Sequence, residues 1–294
     1  MHYDLRLEIS YRYDSPASNG RHLLRLMPLA LPGEQTVLHG ALDISPRPDE
    51  RHDRRDFFGN ATTEIAFRQP VEDLVLSLSA RVRRMALAPS LDLSPDLDRL
   101  ARDLAAIDAL GPDAPHHFRA ASPRVALSPK MTAYARDQLA PGMTTLQIVT
   151  RIGRALHRDM RFEAGATDVH TPPLAAFTAR RGVCQDFSHI MIACLRGVGI
   201  PAGYVSGFLR TIPPEGQPRL EGADAMHAWV RAWCGPDNGW VQYDPTNDLL
   251  VGADHIVTAL GRDYADVAPV RGVLRTSGGQ DSGQKVDVLP LPAS

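Results

Sequence analysis

Lysine is almost absent from this chain: Lys130 and Lys285 stand against 30 arginines in 294 residues. Genome-wide composition explains that imbalance most simply. Cysteine is scarce too. Three cysteines, an odd number without paired spacing, exclude a disulfide framework and fit a reducing compartment. A net charge of −2 with no basic run excludes a nucleic-acid interface. No apolar stretch reaches the ~20 residues of a membrane span. The opening residues Met1-His2-Tyr3-Asp4-Leu5-Arg6 alternate and carry charge, unlike a signal h-region or a transit peptide. The expectation is a soluble cytoplasmic protein with no nucleic-acid or membrane partner.

Residues 1–85 read as an N-terminal antiparallel, sandwich-like β domain. Leu5, Leu7, Ile9, Tyr11 and Tyr13 alternate with polar residues, as do Leu74, Leu76, Leu78, Ala80 and Val82. Between them, Phe57-Phe58-Gly59-Asn60 marks a turn before Thr63, Ile65 and Phe67. No set of chemical groups gathers here, so a scaffold or contact role is expected. Residues 86–141 form a helical and irregular connector, with a helix carrying Leu97, Leu100 and Leu104 after Ser94-Pro95. His116-His117 lack a third ligand at useful spacing and read as solvated loop rather than metal site. Residues 142–275 hold the chemistry, and 276–294 form a flexible tail or an edge strand through Val286 and Val288.

The chemistry starts at Cys184. Phe187, Ile190, Met191, Cys194, Leu195 and Val198 make a helical stripe that Ile192 and Ala193 broaden, as in a core helix. One turn back from Phe187 lies Cys184, at the helix start, where free N–H groups and the macrodipole favour negative charge on sulfur and leave donors for an oxyanion. Cys194 and Cys234 fit the bland reading of a cysteine as a small apolar residue. Downstream, 226–233 and 240–245 flank a turn-rich segment and form an antiparallel hairpin. A loop of Cys234 to Asp237 puts His227 opposite Asp244, and a loop of Gly235 to Asn238 makes them diagonal neighbours. Any even loop keeps them on one face, within roughly 5–8 Å between Cβ atoms. Thiol, imidazole and carboxylate are the parts of a nucleophile, its base and its orienter. Gln185, Asp186 and His189 are candidates for supporting the site or meeting substrate. Trp229 shares the face of His227, and a core role is its stronger reading. A zinc site of Cys184, His189 and His227 lacks supporting spacing, so no metal and no cofactor are expected.

The ordered set 182–189, 199–208, His227-Ala228-Trp229, Gly239-Trp240, Asp244-Pro245-Thr246-Asn247 and 261–267 resembles the bacterial transglutaminase-like superfamily. The opening strand and Phe58-Gly59-Asn60 resemble the N-terminal region of its bacterial type. The resemblance implies an α+β fold with a papain-like transglutaminase core, a nucleophile-bearing helix packed on an antiparallel sheet. It makes Cys184 the nucleophile, His227 the base and Asp244 the orienter. It further implies acyl transfer at carboxamide or peptide bonds through a thioester. The expected partner is a peptide or protein amide, resolved by water in a cysteine protease or amidase, or by a primary amine in an amide-forming enzyme. A non-catalytic binding module is the rival. Met226 and Ala176 depart from the family pattern, the first where a small polar residue is expected and the second where an acidic one is common.

Overall fold

The computed structural model describes residues 1–85, 91–211 and 224–292. The alternating N-terminal segments are strands: β1 (His2–Leu24), β2 (Gln35–Ser45), β3 (Glu50–Arg55), β4 (Ala61–Ala66) and β5 (Val71–Arg84). They form an antiparallel sheet in the order β2-β5-β1-β4-β3. β1 is long enough to serve two parts of it. Residues His2–Arg12 pair with β5, and Arg21–Leu24 pair with β4, with irregular register between. Tyr3, Leu5, Leu7 and Ile9 bury one face against Leu76, Leu78, Ala80 and Val82.

Helices α1 (Leu97–Ala105), α2 (Pro129–Arg136) and α3 (Thr145–Asp159) follow. The Thr144 hydroxyl and the Gln147 side chain cap α3 reciprocally. Between α1 and α2, His116 and His117 sit on one short 3-10 turn. Each ring nitrogen meets a backbone carbonyl, and the His117 ring packs edge-on against Phe57. They are packing residues rather than free loop residues. Next come β6 (Arg161–Phe162), α4 (Pro173–Ala179), β7 (Arg181–Gly182) and α5 (Cys184–Gly197). The sheet that α5 packs on is built from β8 (Ala202–Leu209), β9 (Ala225–Trp233), β10 (Trp240–Asp244), β11 (Leu249–Leu250) and β12 (His255–Gly261), in the order β11-β10-β9-β8-β12. One face, through Ala202, Tyr204, Ala228, Val230 and Ala232, joins the core around α5. The other, through Val205, Trp229, Val257 and Leu260, packs with Leu29. This is the α+β architecture expected of a papain-like core.

After α6 (Tyr264–Val267), the chain returns to the N-terminal sheet. β13 (Val270–Arg275) and β14 (Gln280–Leu291) both pair with β1. The glycine-rich composition of 277–283 pointed to flexibility, yet strand begins at Gln280 because β1 supplies a full antiparallel ladder. Residues 270–275, grouped by sequence with the chemistry-bearing region, likewise ladder onto β1, a long-range pairing that no local pattern announces.

The N-terminal region also seals the open edge of β12. The Gln35 amide donates to the carbonyls of Leu29 and Val257 at 2.7 and 2.8 Å and accepts the Val257 N–H at 2.9 Å. The Asn60 amide treats Leu260 the same way, donating to its carbonyl and accepting its N–H, both at 2.8 Å. Each side-chain amide stands in for a peptide group on an edge where the Leu29 N–H also reaches the Val257 carbonyl, at 2.9 Å. Replacing Gln35 by leucine strands buried backbone groups on Val257 and Leu29, so unfolding free energy should fall by about 3 kcal/mol. Urea unfolding of Gln35→Leu beside wild type measures this directly.

Candidate active site

Gly182 and Asp186 explain why the chain starts a helix at Cys184. Asp186 Oδ2 accepts the Val183 N–H at 2.8 Å and the Thr167 hydroxyl, satisfying one of the donors a helix start leaves free. A Cβ at position 182 would lie 2.5 Å from that oxygen, so only glycine fits. Asp186 is thus a helix cap; burial pushes its carboxyl up, and its Oδ1 has no partner among the described residues. Cys184 and Gln185 open the helix with N–H groups that have no carbonyl one turn back. Cys184 is half-buried, whereas Cys194 and Cys234 are sealed in the core. Burial pushes both of those thiols up to about 12.

The hairpin takes the diagonal register. Trp233 pairs with Trp240 and Val230 with Tyr243, so one step further along puts Asp244 beside Trp229 and diagonal to His227. His227 Nε2 lies 2.7 Å from Asp244 Oδ2. The thiol of Cys184 lies near the same imidazole. Burial pulls His227 down, but hydrogen bonds to Asp244 and Cys184 outweigh it and raise the ring to about 10. Asp244 is fully buried. Burial pushes it up, but donors from His227 and His255 prevail and hold it well below the usual carboxylate range. Trp229 is fully buried with the core residues Val205 and Val257, and its ring stacks 6.0 Å from that of His227. Its indole N–H donates to Gln242 Oε1 at 2.7 Å.

His189 stands apart from this group. It accepts the Tyr264 N–H at 3.2 Å and packs 5.1 Å from the Tyr204 ring. Burial holds it down at about 4, which makes it a neutral core histidine. It lies on the same helix five residues beyond Cys184, but it is buried in the core. Gln185 is buried with no side-chain hydrogen bond among the described residues, so no contact assigns it a role. Of the two departures from the family pattern, Ala176 is a buried residue of α4 and Met226 packs toward the N-terminal core.

Sequence reading missed His255 and the full part played by Asn247. Asp244 Oδ2 accepts His255 Nε2 at 3.1 Å and Asn247 Nδ2 at 2.7 Å, while Oδ1 accepts the Thr246 and Asn247 N–H groups. The ligand atoms of His227, Asp244 and His255 lie within 4.8 Å of one another, a set that could hold a divalent ion. In the arrangement present they are joined by hydrogen bonds instead. Chemically, a sulfur at a helix N-terminus beside an imidazole whose far nitrogen is held by a carboxylate can be deprotonated, attack a carbonyl and have its proton returned to a leaving group.

Comparisons with known proteins bear on the family and the fold. Residues 3–83 match the family model described as the bacterial transglutaminase-like N-terminal region, and residues 132–245 match the transglutaminase-like superfamily. An uncharacterized protein of Mycobacterium tuberculosis is 32% identical over 98% of this chain and 93% of its own length. One from Mycobacterium leprae is 31% identical over 96% of each. A crystal structure described as a "putative cysteine protease" from Cytophaga hutchinsonii covers 100% of this chain and 92% of its own, with TM-score 0.77 at 21% identity. That last likeness establishes the fold. No helix among the described residues is long and apolar enough to cross a membrane.

Proposed function

Since this chain belongs to the transglutaminase-like superfamily, a family of cysteine-dependent hydrolases and acyltransferases, we propose that it transfers acyl groups from carboxamide or peptide bonds through a thioester on Cys184. The observation that carries the reading is His227, which meets Asp244 through one nitrogen and lies near the Cys184 thiol at the start of α5.

His227, held in its protonated form, keeps the proton that the pair shares, and Cys184 Sγ attacks the carbonyl carbon. The oxyanion forms beside the N–H groups that open α5. Collapse of that intermediate breaks the C–N bond, and His227 returns the proton to the departing nitrogen. Tyr204, whose hydroxyl burial and the nearby Cys184 keep protonated, lies beside the same helix end. The thioester is then resolved by water, as in a protease or amidase, which is the reading favoured here; an amine in place of water gives transamidation.

Single-turnover kinetics with a peptide amide tests the proposal. Release of the leaving amine should precede release of the acid. Thioester decay that is indifferent to added primary amine identifies a hydrolase, and acceleration with amide product identifies a transferase. Failure of any peptide or glutamine amide in a broad library to release amine would refute the proposal.

A further inference from the structure

Asp244 is held far more completely than a tautomer-fixing carboxylate requires. Backbone N–H groups of Thr246 and Asn247 occupy Oδ1, at 2.9 and 3.2 Å. Oδ2 takes three donors: His227 at 2.7 Å, Asn247 at 2.7 Å and His255 at 3.1 Å. His255 comes from β12, across β8 from the strand that carries His227. It is 2% exposed, and its Nδ1 is buried without a partner among the described residues.

We propose that His255 is a positioning residue for the acyl-transfer site, its Nε2–H fixing the Asp244 carboxylate so that His227 has one orientation toward Cys184. This rests on the triad reading above and deepens it. Asp244 Oδ2 can only accept, so Nε2 of His255 must carry the hydrogen of that bond. A hydrogen at Nδ1 would be a buried donor with no acceptor among the described residues, so the ring serves Asp244 through Nε2. Trp229 braces both imidazoles, stacking on His227 at 6.0 Å and meeting His255 edge-on at 5.1 Å. Gly207 makes room for that indole, since a Cβ there would lie 2.5 Å from Trp229. The N-terminal region completes the arrangement. Gln35 grips Val257, two residues from His255, and Glu34 accepts from Gln242, the partner of the Trp229 indole. The N-terminal sheet therefore supports the site that it does not enter.

The test uses two variants of similar polarity. The amide nitrogen of Gln can reach the position of Nε2, and that of Asn cannot. His255→Asn should slow alkylation of Cys184 at pH 6 roughly 10-fold and lower kcat roughly 100-fold, in the range seen when a supporting hydrogen-bond partner is lost. KM should stay within about twofold, because His255 acts on Asp244 and not on substrate. His255→Gln should restore both rates to within about threefold of wild type. Equal rates for Asn and wild type, or equal damage in Gln and Asn, would overturn the proposal. Should neither variant fold, nitrogen NMR of the wild-type imidazoles decides: an Nε2–H tautomer at His255 supports the proposal and Nδ1–H refutes it. Wild-type protein with no selective reaction at Cys184 would refute the acyl-transfer reading, and this proposal with it.

Discussion

Replacing Asp244 by asparagine should lower kcat/KM on the order of 10⁴-fold while leaving the chain folded. The carboxylate accepts five hydrogen bonds, three of them at Oδ2. An amide offers one oxygen and turns its NH2 toward groups that donate to the carboxylate. If the NH2 faces His227, the imidazole must flip its tautomer, and the nitrogen near Cys184 then carries a hydrogen and cannot take the thiol proton. Stability carries a second sign of the same loss. His227 is raised to about 10 in the fold, above its unfolded value of about 6.5, so its contribution is complete below 6.5 and disappears as pH climbs through 10. Asp244 is held low, so its contribution is present above about 3.9 and is lost only as pH falls through its depressed folded value. Melting temperature in wild type should therefore decline between pH 6.5 and 10, and Asp244→Asn should flatten that decline.

The second large effect is selectivity among the three thiols. Burial raises Cys194 and Cys234 to about 12, so at pH 6 each is thiolate in roughly one molecule in 10⁶. Iodoacetamide on the folded protein at pH 6 should therefore place one label, on Cys184, and Cys184→Ala should take none. Cys194→Ala and Cys234→Ala should label as wild type does. Acylation by substrate should persist toward alkaline pH and fail near 10, as His227 loses the proton it must return. Comparable labelling at all three positions would remove the basis for singling out Cys184.

Much of this arrangement was legible in the chain because it is local. Cys184 could be placed at a helix start by counting back from an apolar stripe. The shared face of His227 and Asp244 needed only an even loop, and Cys234–Gly239 supplies six residues between the paired Trp233 and Trp240. His189, a candidate near Cys184 in the sequence, shows where closeness along a helix misleads. A helix stripe says which residues face inward, not whether they face the core or the cleft. His255 left no usable trace, since what brings it to Asp244 is the strand order β10-β9-β8-β12, a tertiary fact. Gln35 and Asn60 were equally silent. A buried amide that mimics a peptide group looks, in sequence, like any polar residue near a turn. The return of β13 and β14 to β1 belongs with these, because a ladder between residue 2 and residue 291 has no local signature.

The most direct measurement is the mass of the acid-quenched protein after brief exposure to a peptide amide, followed by mapping of the modified peptide. The account predicts a hydroxylamine-labile acyl group on Cys184, formed with loss of the amine, and no adduct on Cys184→Ala. Amide turnover by the Cys184→Ala protein, or an acyl group carried on any other residue, would contradict it.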